Sequence, residues 1–214
     1  MVGRTQAVTV NPREQLPTLR GRQTQAAIDA AARAVISRKG ILATTISDIA
    51  AEAGKSTASF YNYYDSKEAM VREWAVRFRD EARERSRAAA EPGLTNWERS
   101  YQAAGAHWNT YRNRLAEIIS VSQLAMISDD FAEYWRDICS LPIGLITQAV
   151  KHAQRQGFCA GDDPNLIAVA MVSMLNQFCY TKLSGGAGEV VDDEACVTTL
   201  ANVFYRTIYH KEAG

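Results

Sequence analysis

From Leu19 to Glu91 the chain contains no proline, and apolar residues recur there every three or four positions. A proline-free stretch with that period has one economical solution, consecutive amphipathic helices. Strand signals are nearly absent, since Val8-Thr9-Val10 is short and runs into Asn11-Pro12. The sequence therefore predicts an all-α fold. Helix one is expected over 23–39, with Ile28, Ala31, Ala32, Val35 and Ile36 inside and Gly40 as its stop. Thr45, with Asp48 three residues on, reads as a capping box opening helix two, which Gly54 closes. Helix three starts near Ser56 with Phe60 and Tyr64 inward. A long helix then follows to about residue 90, and Glu91-Pro92-Gly93 breaks the chain. Five further helical blocks are expected, over 96–113, 115–127, 130–156, 165–183 and 193–210, with Pro142 and Gly144 kinking or splitting the third.

Charge narrows the function. The 24 basic and 24 acidic side chains cancel, yet residues 1–67 hold nine Lys/Arg against five Asp/Glu. The front third is where a polyanion partner is expected. Cys139, Cys159, Cys179 and Cys196 are far apart, with no paired spacing, and read as reduced buried thiols of a cytoplasmic protein. The opening Met1-Val2-Gly3-Arg4 leads into no secretory apolar run. The uncharged run from Pro164 to Thr181 has the length of a membrane span, but Asn165, Ser173, Asn176 and Gln177 interrupt it. It reads as a helix buried between protein surfaces, so no membrane partner is expected.

Two short helices joined by Gly54-Lys55-Ser56 have helix-turn-helix geometry. The second helix has to reach base edges without filling the groove, which suits an outward set of Thr57, Ala58, Ser59, Tyr61, Asn62 and, at its margin, Tyr63. Asn62 can pair with adenine in bidentate fashion, and the Thr57 and Ala58 methyls can meet a thymine methyl. Tyr61, Tyr63, Thr45 and Lys67 suit phosphate oxygens, Lys55 can serve either purpose, and Ser56 completes the set. Residues 1–20, carrying Arg4, Arg13 and Arg20, form a basic arm that is either solvated or placed in the minor groove.

The stretch from Thr44 to Glu68 resembles the DNA-binding segment of TetR-family transcriptional regulators. The shared residues are Thr44/Thr45, Ile49-Ala50, Ala53-Gly54, Tyr61, Tyr63 and Lys67-Glu68; Phe60 and Tyr64 stand where Leu and Phe are usual. The resemblance implies a three-helix DNA-binding domain over 21–67. A long linking fourth helix and a C-terminal helical ligand-binding and dimerisation domain follow within 68–214. The last third is similar to a mycobacterial repressor of that family through Ala168, Met174-Leu175-Asn176 and the ending Thr207-Ile208-Tyr209. That similarity implies that Asn176 faces a ligand channel.

Other chemistries fit less well. Gly54-Lys55-Ser56 lacks the earlier glycine and the strand of a phosphate loop. Gly185-Gly186-Ala187-Gly188 precedes acidic residues and reads as a loop, and His107, His152 and His210 are scattered, so neither metal nor cofactor is expected. No convergent catalytic set points to an enzyme. The second domain instead carries more aromatic and methionine bulk than packing requires, with polar residues among it. Its expected apolar ligand pocket includes His107, Trp108, Tyr111, Gln123, Met126, Tyr134, Trp135, Val172, Asn176, Cys179 and Tyr180. Met171, Met174, Phe178, Val197, Leu200, Ala201 and Phe204 are expected at a two-fold dimer interface. Together these readings predict a homodimeric regulator of double-stranded DNA. It is expected to act as a repressor leaving a palindromic operator when a small apolar or amphipathic ligand binds; a ligand-independent regulator or an activator of the same fold is the alternative.

Overall fold

The computed structural model describes residues 18–86, 93–185 and 191–211, with the side chains of 79–86 left aside. Residues 1–17 of the arm expected over 1–20, and most of the 185–188 glycine loop, lie outside the described residues, while Leu19 and Arg20 already open the first helix, earlier than expected. Eight helices follow in order: α1 Leu19–Lys39, α2 Ile46–Glu52, α3 Thr57–Tyr61, α4 Lys67–Ser86, α5 Asn96–Leu124, α6 Asp129–Arg155, α7 Pro164–Leu183 and α8 Asp193–Ile208. Among the described residues there is no strand.

Local chemistry explains most boundaries. Thr45 accepts from Asp48 N while the Asp48 carboxylate accepts from Thr45 N, so the expected capping box starts α2. Ser56 caps α3 through Ser59 N, and Asp163 caps α7 through Asn165 N and Leu166 N, with Pro164 in the first turn. Gly40, at φ 75°, ends α1 and returns its N–H to Ile36 O. Two block boundaries differ from expectation. The break near residue 114 is a local kink at Arg114 (φ −132°, ψ 26°) within one α5. Pro142 sits inside a continuous α6, where it removes one backbone N–H without ending the helix.

Two apolar cores result. The first gathers α1–α3, the opening of α4 (Met70, Val71, Trp74, Ala75), Ala116, Val121 and Leu124 of α5, and Phe131 of α6. The second gathers the first half of α5, the end of α6, α7, α8 and Phe78 of α4. Helix α5 thus belongs to both: Ala104, Trp108 and Tyr111 before its kink and Ile118 after it line the second core, while Ala116, Val121 and Leu124 line the first. Among the described residues, α7 is the one helix long and apolar enough to cross a membrane by length and composition. Its Ala168, Met171, Val172, Leu175 and Cys179 are buried within the chain.

Candidate functional site

The short α3 is anchored from behind. Phe60 is buried against Tyr64, with ring centroids 5.6 Å apart. The Tyr64 hydroxyl donates to Asp29 Oδ1 at 2.7 Å and accepts from Gln25 Nε2 at 3.1 Å. Burial, reinforced by that carboxylate, pushes the phenol up to about 12, so it stays a neutral donor. On the other side of α3, Thr57, Ala58 and Asn62 are exposed, Lys55 is exposed at the turn, and Tyr61 is 50% exposed. A large aromatic left half in solvent beside an amide and two small side chains is what a groove-reading helix needs.

The structure assigns other expected contacts elsewhere. Lys67 Nζ donates to Ile41 O at 2.8 Å and to Thr44 O at 2.9 Å, so it braces the α1–α2 loop where a phosphate contact was expected. The Thr45 hydroxyl is occupied by the capping box, donating to Asp48 Oδ2 at 2.6 Å. Ser56 and Ser59 share their hydroxyls at 3.1 Å within the α3 cap, and Tyr63 is half-buried against the first core. Asp48 also accepts from Lys39 Nζ at 2.7 Å; that bond, with those from Thr45, holds its carboxyl well below the usual range. The helix-turn-helix frame is fixed in this way while Lys55, Thr57, Ala58, Tyr61 and Asn62 remain outward.

Behind this surface α5 is latched to α1. Gln123 Oε1 accepts from Ile41 N at 3.0 Å, and a Cβ on Gly40 would stand 2.7 Å from the same oxygen. The buried Glu117 accepts from Arg33 Nε at 2.8 Å, with Arg114 at 3.5 Å and its second oxygen unpartnered. The Arg33 guanidinium also lies over the Trp74 ring at 4.9 Å. Gln123 therefore serves the joint between the two cores and no ligand pocket.

Of the other expected pocket residues, some converge. His107 and Tyr111, one turn apart on α5, have ring centroids 5.3 Å apart. Asn176 of α7 donates to Cys139 Sγ of α6 at 3.7 Å, and burial together with Cys179 and Cys139 raises the Tyr111 phenol. Trp135 is half-buried nearby and packs against both cores, and Val172 is buried. Trp108 is fully buried and donates to Asp193, which is also paired with Arg112, so it acts as a core anchor. Tyr134 belongs to the first core. Met126, 83% exposed, and Tyr180, on the outer face of α7, point away. Cys139 was missed because a lone thiol reads as inert; its place one turn after Trp135 on the apolar stripe of α6 is the signal that could have found it.

The expected dimer set is displaced in the same way. Met171, Val197, Leu200, Ala201 and Phe204 are buried in this chain's own second core, and Phe178 packs on Trp108 with centroids 6.2 Å apart. Only Met174 of that set stays exposed, beside Leu166 and Val169 on the outer face of α7. The buried face of α7 lies about one position out of phase with the expected one, whereas the expected stripe of α8 is the buried one and packs within this chain.

Residues 28–74 match the family model "Bacterial regulatory proteins, tetR family". The HTH-type transcriptional repressor KstR2 of Rhodococcus jostii is 28% identical over 144 residues, covering 61% of this chain and 70% of that protein. A TetR-like transcriptional regulator from Rhodococcus sp. RHA1 superposes with a TM-score of 0.66 at 23% identity, over 92% of this chain and 100% of that one. FadR of Bacillus subtilis, solved in complex with stearoyl-CoA, gives 0.58 at 18% identity, over 84% and 97%. The last two likenesses speak to the fold.

Proposed function

The chain is a transcriptional regulator of the TetR family, and on that premise we propose that it is a repressor, released from a palindromic operator by a small ligand bound in its second domain. The observation that carries this reading is the outward set on α3, backed by a frame in which Thr45 is hydrogen-bonded to Asp48 and Ser56 to Ser59. Residues 21–67 act as the reader and 68–214 as the sensor and dimerisation domain. In the reader, Asn62, Thr57 and Ala58 face base edges, while Tyr61 and Lys55 hold phosphates. The curated relative named as a repressor supports the sign of regulation.

Dimerisation runs through the outer face of α7, where Leu166, Val169, Met174 and Tyr180 remain exposed. A large exposed apolar face on a bundle helix is otherwise costly, and a two-fold contact places the same face on both partners. The small ligand enters between α5, α6 and α7 around His107, Tyr111 and Asn176; the stearoyl-CoA complex of the Bacillus subtilis neighbour supports a ligand in this kind of domain. Binding moves α5 about its kink at Arg114. The Gln123–Ile41 and Glu117–Arg33 contacts carry that movement to α1, and Lys67 carries it to α4. A hundredfold loss of operator affinity requires the ligand to favour the released state by about 2.7 kcal/mol.

The test is selection of genomic fragments by the purified full-length protein at near-physiological salt, followed by titration on the best fragment. An enriched inverted repeat bound by two copies, far tighter than bulk DNA, is the expected result. Enrichment of nothing, with affinity that collapses as salt rises, would overturn a specific repressor.

A further inference from the structure

The polar cluster inside the second domain has a chemistry of its own. His107 Nε2 is buried and has no hydrogen-bond partner. Burial brings the His107 imidazole down to about 4, so the ring is neutral at physiological pH, while the neighbouring Asn176 side chain pulls weakly the other way. The amide of Asn176 is shared with Cys139, whose thiol burial pushes up to about 11. No charged side chain contributes to the shifts of His107, Tyr111 or Cys139; burial, the Asn176 amide and the two thiols account for them. The wall opposite is only partly covered: of the 27 residues of α6 only Phe131, Val150 and Ala153 are buried, while Trp135, Ile138 and Ile146 are half-buried. Such a wall can yield to a ligand without breaking close packing.

We propose that the buried end of the effector is an uncharged oxygen group, a hydroxyl or a carbonyl on an apolar skeleton, held at His107 Nε2. This rests on the ligand-released reading above and names the ligand class of that site. An ionised carboxylate or ammonium at this depth would give up its water with no counter-charge to replace it. A pure hydrocarbon would leave the imidazole nitrogen as unsatisfied as it is in the empty protein. A neutral oxygen group meets both conditions, and the aromatic face of Tyr111 beside it accommodates the skeleton.

The experiment uses the full-length protein and four probes of one chain length: decan-1-ol, decan-2-one, decanoate and decylammonium. Calorimetric titration should find the alcohol or the ketone binding at least about tenfold tighter than either ion. His107→Leu should cost the preferred probe about tenfold or more, and without ligand it should unfold at no lower temperature than wild type, since a carbon replaces an orphan nitrogen. An ion that binds as tightly as its neutral partner overturns the proposal, as does undiminished binding by His107→Leu or no saturable binding of either neutral probe. Imidazole 15N resonances of the wild-type protein give a reading that needs no variant. The Nε2 signal of His107 should move as the neutral probe saturates, and a bound probe that leaves it still would also overturn the assignment. Operator release separates this from the broader reading. A neutral probe bound through His107 that leaves the operator complex intact removes ligand release and spares the assignment. Release by a compound indifferent to His107→Leu does the opposite.

Discussion

The two cores are built to different standards. In the first, Phe60, Tyr64, Trp74, Ile28, Ile36, Ile41 and Ile49 are all but inaccessible, and the flanking loops are pinned by Thr44, Gln123 and Lys67. In the second, α5, α7 and α8 pack as closely around Trp108 and Leu200, but the inner stripe of α6 stays half-buried and a histidine nitrogen is left without a partner. A domain that must present side chains to DNA at fixed spacing gains from rigidity. A domain proposed to open around a ligand would be drawn from the less stable end of the same molecule. Buried polar atoms without partners occur in both regions, at Trp74 Nε1 and Glu117 Oε2 as well as at His107 Nε2, so it is the half-buried stripe of α6 that sets the second region apart.

The sharpest way to break this comparison is truncation in the two regions. Phe60→Ala should cost about 3–5 kcal/mol in denaturant unfolding and abolish DNA binding, while Ile138→Ala on α6 should cost about 1 kcal/mol. Equal losses would mean that α6 is as tightly packed as the reader. Next in size is a pH effect. The His107 imidazole is lowered to about 4 from 6.5 in the folded protein, so the unfolded chain binds the extra proton between those values. Stability contributed by the neutral ring is therefore complete above about pH 6.5 and falls by roughly 3 kcal/mol as pH drops toward 4. Chemical unfolding across that window should show this slope in wild type and lose it in His107→Leu; an unchanged slope in the variant would place the titration elsewhere.

Smaller effects sharpen the joint between the regions. Gly40→Ala should destabilise by about 1–2 kcal/mol, because φ is 75° there and the new methyl meets the Gln123 amide at 2.7 Å. Gln123→Ala should cost about 1 kcal/mol by leaving Ile41 N without its acceptor. If neither substitution alters how strongly a ligand reduces operator affinity, coupling does not run through α5. Smallest for the fold are changes on α3. Asn62→Ala should leave unfolding within about 0.5 kcal/mol, yet relax base preference at one position by about 1–3 kcal/mol in a binding selection. Lys55→Ala should weaken all sequences alike and reduce the salt slope by about one. Uniform loss for Asn62→Ala would remove its base-reading role.

Much of the first region was legible because its signals are local. The capping box of Thr45 and Asp48, the Ser56 cap, the stop at Gly40 and the inward Phe60–Tyr64 pair all lie within four residues of their partners. What the sequence did not show depends on distant partners. Lys67 also donates to Ile41 O and Thr44 O, and Gln123 accepts from Ile41 N, 82 positions earlier in the chain. On α7 both faces are apolar, so periodicity could not say which one packs inward, and Met171 and Val172 were assigned to opposite purposes although both are buried.

The sequence by itself determined that the described residues build helices and no strand, where α3 begins, and which side chains that helix turns outward. Period and caps are short-range properties, and little else in the molecule can overrule them. Only the tertiary structure decided that α5 spans both cores across its kink, that Gln123 and Glu117 join them, and that the Nε2 atom of His107 is buried without a hydrogen-bond partner. Those outcomes depend on which helices lie side by side, a result of how all the apolar faces are buried at once.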